Sequence, residues 1–181
     1  MPDQTTYMYR QNIQYADFTA SYLSSLRQNS IWYMEASPDW VPAYTTLNDY
    51  EVYDHLISVV VSGSVLSENS KHEPKIHVGG SPINTTRSKT VYKCTSLEDD
   101  TTIISLFPEK NIIYNRELYK FETGQSFTFP LNQKETYFFV AKGVVSINGN
   151  ERGPFHMLKF SAGETLNLTC SEASYVIRIW E

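Results

Sequence analysis

Val144-Val145-Ser146-Ile147-Asn148-Gly149, followed by Lys159-Phe160-Ser161-Ala162-Gly163-Glu164, carries the strongest structural signals in the chain. Ile147-Asn148-Gly149 is a hairpin step, because Asn and Gly tolerate the positive φ angles that a two-residue turn between strands requires. Ser161-Ala162-Gly163 marks a second turn. Working outward, strands are expected at residues 50–62, 75–78, 90–95, 101–107, 111–114 and 118–121. More are expected at 126–129, 136–140, 144–147, 156–160, 165–169 and 174–180. Gly79-Gly80 and Glu98-Asp99-Asp100 punctuate them. Strands at this density, without alternating helices, indicate a sandwich or barrel. One short N-terminal helix is expected over residues 17–27. Phe18, Tyr22, Leu23 and Leu26 fall at helical spacing there, and Asp17 can cap the first turn. Beyond it, Pro38 and Pro42 bracket Trp40 in a stretch that should extend or turn.

Composition agrees with an all-β chain. Of 181 residues, 14% are aromatic, with 13 Tyr and 9 Phe, and only 19% are charged. A chain of this length buries roughly 70% of its unfolded surface, so it needs no metal or disulfide merely to fold. The formal net charge is -5, and its 15 Lys and Arg are scattered singly. That argues against nucleic-acid binding, which rests on clustered cations. The longest aliphatic run, Leu56 to Val61, is too short to span a bilayer, and the first residues lack the basic start and apolar run of a secretory signal. A non-membrane, cytoplasmic protein is therefore expected, with Cys94 and Cys170 as buried free thiols.

An internal duplication is suggested at an offset of eighty residues. Ser30-Ile31-Trp32-Tyr33 precedes Lys110-Asn111-Ile112-Ile113 by that distance, and Val61-Ser62-Gly63-Ser64-Val65 precedes Ala141-Lys142-Gly143-Val144-Val145. Pro74 precedes Pro154 likewise, and Gly80 matches Gly163 with three added residues. Two similar β units would explain this, although strand-glycine-strand patterns also recur by chance. The expected organisation is an N-terminal helix with an aromatic, proline-rich segment over 1–48, a first β unit over 49–100, and a second over 101–181.

From Glu122 to Trp180 the sequence resembles the cupin superfamily, with its double-stranded β-helix or jelly roll. Cupin motifs run G-x5-H-x-H-x3-4-E-x6-G and then G-x5-P-x-G-x2-H-x3-N. Gly124 and Gly143 fit the glycines of the first, and Ser161-Ala162-Gly163 stands where P-x-G is expected. The resemblance implies a metal site, but Pro130 and Asn132 occupy the first two histidine positions. Thr136 stands at the glutamate position with Glu135 beside it, while Leu166 and Cys170 take the later histidine and asparagine positions. Those side chains cannot replace imidazoles and a carboxylate. A jelly roll without a resident metal or other cofactor is expected, in a degenerate tandem if the repeat is real.

Other chemistry is sparse. His72-Glu73-Pro74-Lys75-Ile76-His77 is not the H-E-x-x-H pattern, because its histidines are one residue too far apart and Pro74 breaks a helix. His55 beside Asp54, and His156 after Gly153-Pro154, read as structural. No nucleophile elbow or phosphate loop is present, so no catalytic residue is assigned. Trp32, Tyr33, Trp40 and Tyr44 form an aromatic cluster that could stack on a sugar or anchor a protein, and these four are the candidate ligand-binding residues. The expected role is a non-enzymatic module that binds a ligand, such as a carbohydrate-like molecule, or builds an assembly through another protein or itself as a dimer or trimer. A virion or phage accessory protein would suit the uncharged Thr, Asn, Ser and Tyr content. The competing reading is a metal-independent sugar epimerase, with His55 or His156 acting beside a Tyr; another is a metalloenzyme with relocated ligands His72, His77 and Glu135.

Overall fold

The computed structural model describes residues 9–15, 17–36, 44–47, 50–54, 56–69, 72–83, 90–109, 114–131 and 135–181. Among these residues there are strands and turns and no helix. No helix is therefore long and apolar enough to cross a membrane among them. The chain divides into two compact units, Met1–Ile113 and Tyr114–Glu181.

The first unit contains β1 (Tyr9–Gln14), β2 (Phe18–Leu26), β3 (Ile31–Ala36), β4 (Tyr44–Leu47) and β5 (Tyr50–Asp54). It continues with β6 (Ile57–Ser62), β7 (Ser64–Asn69), β8 (His72–Val78), β9 (Ser81–Pro82), β10 (Thr90–Ser96) and β11 (Thr101–Pro108). They form one sheet in the order β1-β2-β11-β6-β9 and a second in the order β4-β5-β3-β10-β7-β8. Leu23, Val60 and Ile103 from the first sheet pack with Trp32, Val65 and Cys94 from the second.

The second unit contains β12 (Asn115–Phe121), β13 (Ser126–Pro130), β14 (Glu135–Lys142), β15 (Val145–Ile147), β16 (Asn150–Arg152), β17 (Met157–Ser161), β18 (Thr165–Cys170) and β19 (Ser174–Trp180). Its sheets run β12-β19-β14-β17 and β13-β18-β15-β16. This is the order β2-β11-β6-β9 and β3-β10-β7-β8 of the first unit, strand for strand. Two jelly rolls of one topology thus follow each other along the chain, the first with β1 added to one sheet and β4 and β5 to the other. Asn148 (φ 49) and Gly149 (φ 83) make the β15–β16 turn, as the sequence indicates.

The repeat is anchored at Gly63 and Gly143. Each leaves a strand of one sheet (β6 or β14) for a strand of the other (β7 or β15), at φ 80 and φ 89. Each lies tight against the start of the unit's last strand, where an added Cβ would come within 2.7 Å of the Thr101 or the Ser174 Cα. The other proposed matches differ. Gly80 donates its N–H to the Val60 carbonyl at 2.7 Å, and the group doing the same for Val140 is Phe155, at 2.8 Å, not Gly163. Pro74 lies within β8, whereas Pro154 lies in the turn after β16. Residues 110–113 lie outside those described.

The expected helix over residues 17–27 is strand β2. Its spacing comes from a β-bulge: Leu26 pairs with Thr101 but Leu23 with Ile103, so β2 holds one residue more than β11 between them. The extra residue turns Leu23 and Leu26, three apart, to the same core and reproduces an apolar helical spacing. Asp17 is not a cap; its carbonyl accepts the Glu109 N–H at 2.9 Å.

Candidate ligand-binding site

Side chains alternate across a strand, so the strand pairing of the second unit fixes what each sheet turns inward. In β18, Leu166, Leu168 and Cys170 are buried while Thr165, Asn167 and Thr169 are exposed. Phe129 lies beside Leu166, Phe127 and Ile147 beside Leu168, and Val145 beside Cys170. This sheet presents an apolar inner face.

The facing sheet is apolar over only part of its length. Tyr119, Val176 and Val140 form one row across β12, β19 and β14; Glu117, Arg178 and Phe138 form the next; Asn115, Trp180 and Thr136 form the last. β17 adds Leu158 beside Phe138 and Phe160 beside Thr136. Val140, Val176 and Phe138 belong to the core. Beyond them the inward positions turn polar: Glu117, Arg178 and Thr136.

These polar groups are organised. The Tyr119 hydroxyl donates to Glu117 Oε2 at 2.9 Å, and Arg178 hydrogen-bonds the same hydroxyl. The Arg178 guanidinium carbon lies 4.7 Å from the centre of the Trp180 ring. Burial first, and then the Glu117 carboxylate, push the Tyr119 phenol above its usual value, with Arg178 opposing. The phenol therefore stays protonated at neutral pH and serves as a donor, not as a base. Thr136 is fully buried, and its hydroxyl has no hydrogen-bond partner among the described residues. Beside this cluster runs a chain of rings: Tyr119 to Phe129 at 5.4 Å, Phe129 to Phe138 at 5.8 Å, and Phe138 to Phe160 at 5.9 Å. Tyr119, Phe129, Leu158, Phe160, Arg178 and Trp180 are all partly exposed, so this end of the sandwich meets solvent.

The sequence matches no family model and no curated protein. Solved structures do match. HutD from Pseudomonas fluorescens SBW25 aligns over 99% of this chain and 92% of its own at 13% identity, with a TM-score of 0.63. YhhW from Escherichia coli aligns over 90% and 79% at 11% identity, with a TM-score of 0.57. Salicylate 1,2-dioxygenase from Pseudoaminobacter salicylatoxidans aligns over 94% and 75% at 9% identity, with a TM-score of 0.54. The chain shares the fold of these structures, which agrees with the cupin-like jelly roll expected from the sequence. At such identities the likeness speaks of architecture alone, and the cupin scaffold leaves function to its sites.

The cupin ligand positions carry other work here. Pro130 is exposed at the end of β13, Leu166 and Cys170 fill the core, and Thr136 points inward at the polar end; Asn132 lies outside the described residues. Among the described residues no group of three or more His, Cys, Asp or Glu side chains could hold a metal. Glu135 is bound to Lys159 Nζ at 3.3 Å. His77 is buried, with Nε2 2.8 Å from the Ser67 hydroxyl, and His156 donates from Nδ1 to the Gly153 carbonyl at 3.0 Å. His55 lies outside the described residues. Of the candidate aromatic residues, Trp32 is a core side chain with 2% of its surface exposed. Tyr33 lies in β3 opposite Val52, and Tyr44 in β4 opposite Tyr53; Trp40 lies outside the described residues. Sequence reasoning missed Glu117, Tyr119, Arg178 and Trp180, and met Thr136 only as a lost metal-ligand position. One signal was available: in Ser174-Tyr175-Val176-Ile177-Arg178-Ile179-Trp180, Arg178 falls in step with the apolar Val176, so an inward charge could be read from alternation.

Proposed function

We propose that the protein is a non-enzymatic cupin-like binding module whose small organic ligand enters the polar end of the second jelly roll. The observation that carries this reading is the inner face of β12, β19 and β14, which passes from packed apolar rows to the Glu117, Arg178 and Thr136 rows. Arg178 and the Tyr119 and Thr136 hydroxyls are groups that hold a ligand. The epimerase alternative needs a His and a Tyr converging in one cavity. Tyr119 is engaged by Glu117 and Arg178 and His156 by a backbone carbonyl, while His55, the other candidate histidine, lies outside the described residues. Trp180 supplies a reporter. A ligand found by thermal-shift screening should change tryptophan fluorescence in the wild type and not in Trp180→Phe. A chemically broad screen whose binders all leave Trp180 silent would end this reading.

A second reading, assembly, draws on β8. This strand is an edge of its sheet, and Ile76 and Val78 on it are 67% and 54% exposed. A second copy could pair there, although Pro74, without an N–H, limits the length of such a ladder. Sedimentation velocity should show a dimer or trimer that the Ile76→Lys, Val78→Lys double variant dissolves. A wild-type monomer at every concentration removes the idea. A virion accessory role would be one form of such assembly, tested by whether the protein copurifies with particles.

A further inference from the structure

Resting on the binding reading above, we infer that the ligand is an organic carboxylate. Its charged end takes the place of the Glu117 carboxylate beside Arg178 and Tyr119, and its apolar body lies along the partly exposed Phe129 and Phe160. Glu117 is exposed and sits on β12, the edge strand of its sheet, yet its carboxylate turns inward to accept the Tyr119 hydroxyl at 2.9 Å. A carboxylate on a solvent-facing edge can leave at little cost. Arg178 cannot move so freely, since it is stacked on Trp180 and bonded to Tyr119. A planar guanidinium held in this way is pre-oriented for a two-oxygen acceptor. In the adjoining row lies the fully buried Thr136 hydroxyl, which has no hydrogen-bond partner among the described residues and which a second polar atom on the ligand would satisfy.

The fold itself does not demand this charged cluster. In the first jelly roll, Ile103 and Val60 correspond to Val176 and Val140, and the next row consists of Ser21, Ser105 and Ser58. Those three serines are buried and uncharged, and the Ser58 and Ser105 hydroxyls bond to each other at 2.5 Å. The same topology therefore closes with hydroxyls alone where the second roll places Glu117, Arg178 and Phe138.

Calorimetric titration of the full chain with benzoate and with benzamide, its neutral counterpart, tests the inference. Benzoate should bind the wild type, and benzamide should bind at least about ten-fold more weakly, since it lacks the charge that Arg178 meets. Glu117→Gln removes the internal competitor and its repulsion, so benzoate should bind it about ten-fold more tightly. Arg178→Met should lose benzoate binding by about a hundred-fold while keeping the wild-type circular dichroism; should that variant not fold, the direction of the Glu117→Gln change decides alone. If benzamide binds as well as benzoate, with quenching of Trp180 and no effect of Glu117→Gln, the carboxylate inference fails and the binding module stands. If neither compound binds the wild type or Glu117→Gln, and no other small molecule perturbs Trp180, both fall together.

Discussion

His77 shows how one residue ties pH to stability. Burial, more than the nearby Lys75, lowers its imidazole pKa, although its bond to the Pro82 carbonyl works the other way. The neutral ring bridges Ser67 on β7 to the Pro82 carbonyl on β9. Because its folded pKa lies below its unfolded one, the unfolded chain takes up the proton first as pH falls. Stability is then whole above an unfolded value of about 6.5 and declines below it. Denaturant melts from pH 7.5 to 5 should show that decline, and His77→Gln should flatten it; equal slopes in both proteins would exclude His77 as its source. Burial raises both thiols, Cys94 far more, and both are buried. Neither should react with a thiol reagent at pH 8 until denaturant is added. At the same scale, the site was only partly legible. Arg178 could be placed inward by its alternation with Val176, but Glu117 reads as surface charge until the pairing of β12 with β19 sets it opposite Arg178.

Elements were easier to read where alternation was regular and harder where it was broken. β18 and the β15–β16 hairpin follow directly from period-two alternation and from Asn148-Gly149. β2 misled because a bulge adds one residue to one strand, and one added residue converts a strand's spacing into a helix's. Nothing in Phe18 to Leu26 announces that bulge; it exists only against β11. The crossing points between sheets make a sharper prediction. Gly63→Ala and Gly143→Ala should each cost about 3 kcal/mol or more, since each combines a positive φ with a backbone clash. Gly149→Ala has the positive φ but open space around it and should cost only about 1–2 kcal/mol. Equal losses at Gly143 and Gly149, measured by urea denaturation, would show that the clash relaxes.

The whole molecule repeats one topology, and the sequence match that the structure bears out is that of Gly63 with Gly143, where a positive φ and a close backbone neighbour together restrict the residue. Elsewhere the two jelly rolls keep the pairing and change the side chains, as Ser105 against Arg178 illustrates. Because backbone bonds define the strands, side-chain identity is free to drift wherever the packing volume is kept. Such a topology also governs kinetics. The first and last strands of each roll, β2 with β11 and β12 with β19, pair along their lengths. Closing those distant contacts first requires ordering the chain between them, so refolding should take milliseconds to seconds or longer; stopped-flow fluorescence that finished within microseconds would contradict it. Asn115 opposite Trp180 has a further meaning for engineering. The polypeptide comes into the second roll and goes out of it at neighbouring points, so the roll behaves like a bead clipped onto a thread. It could be grafted into a surface loop of an unrelated host, or have its old ends joined by a short linker and new ones opened at Asn148-Gly149, with its sheets intact.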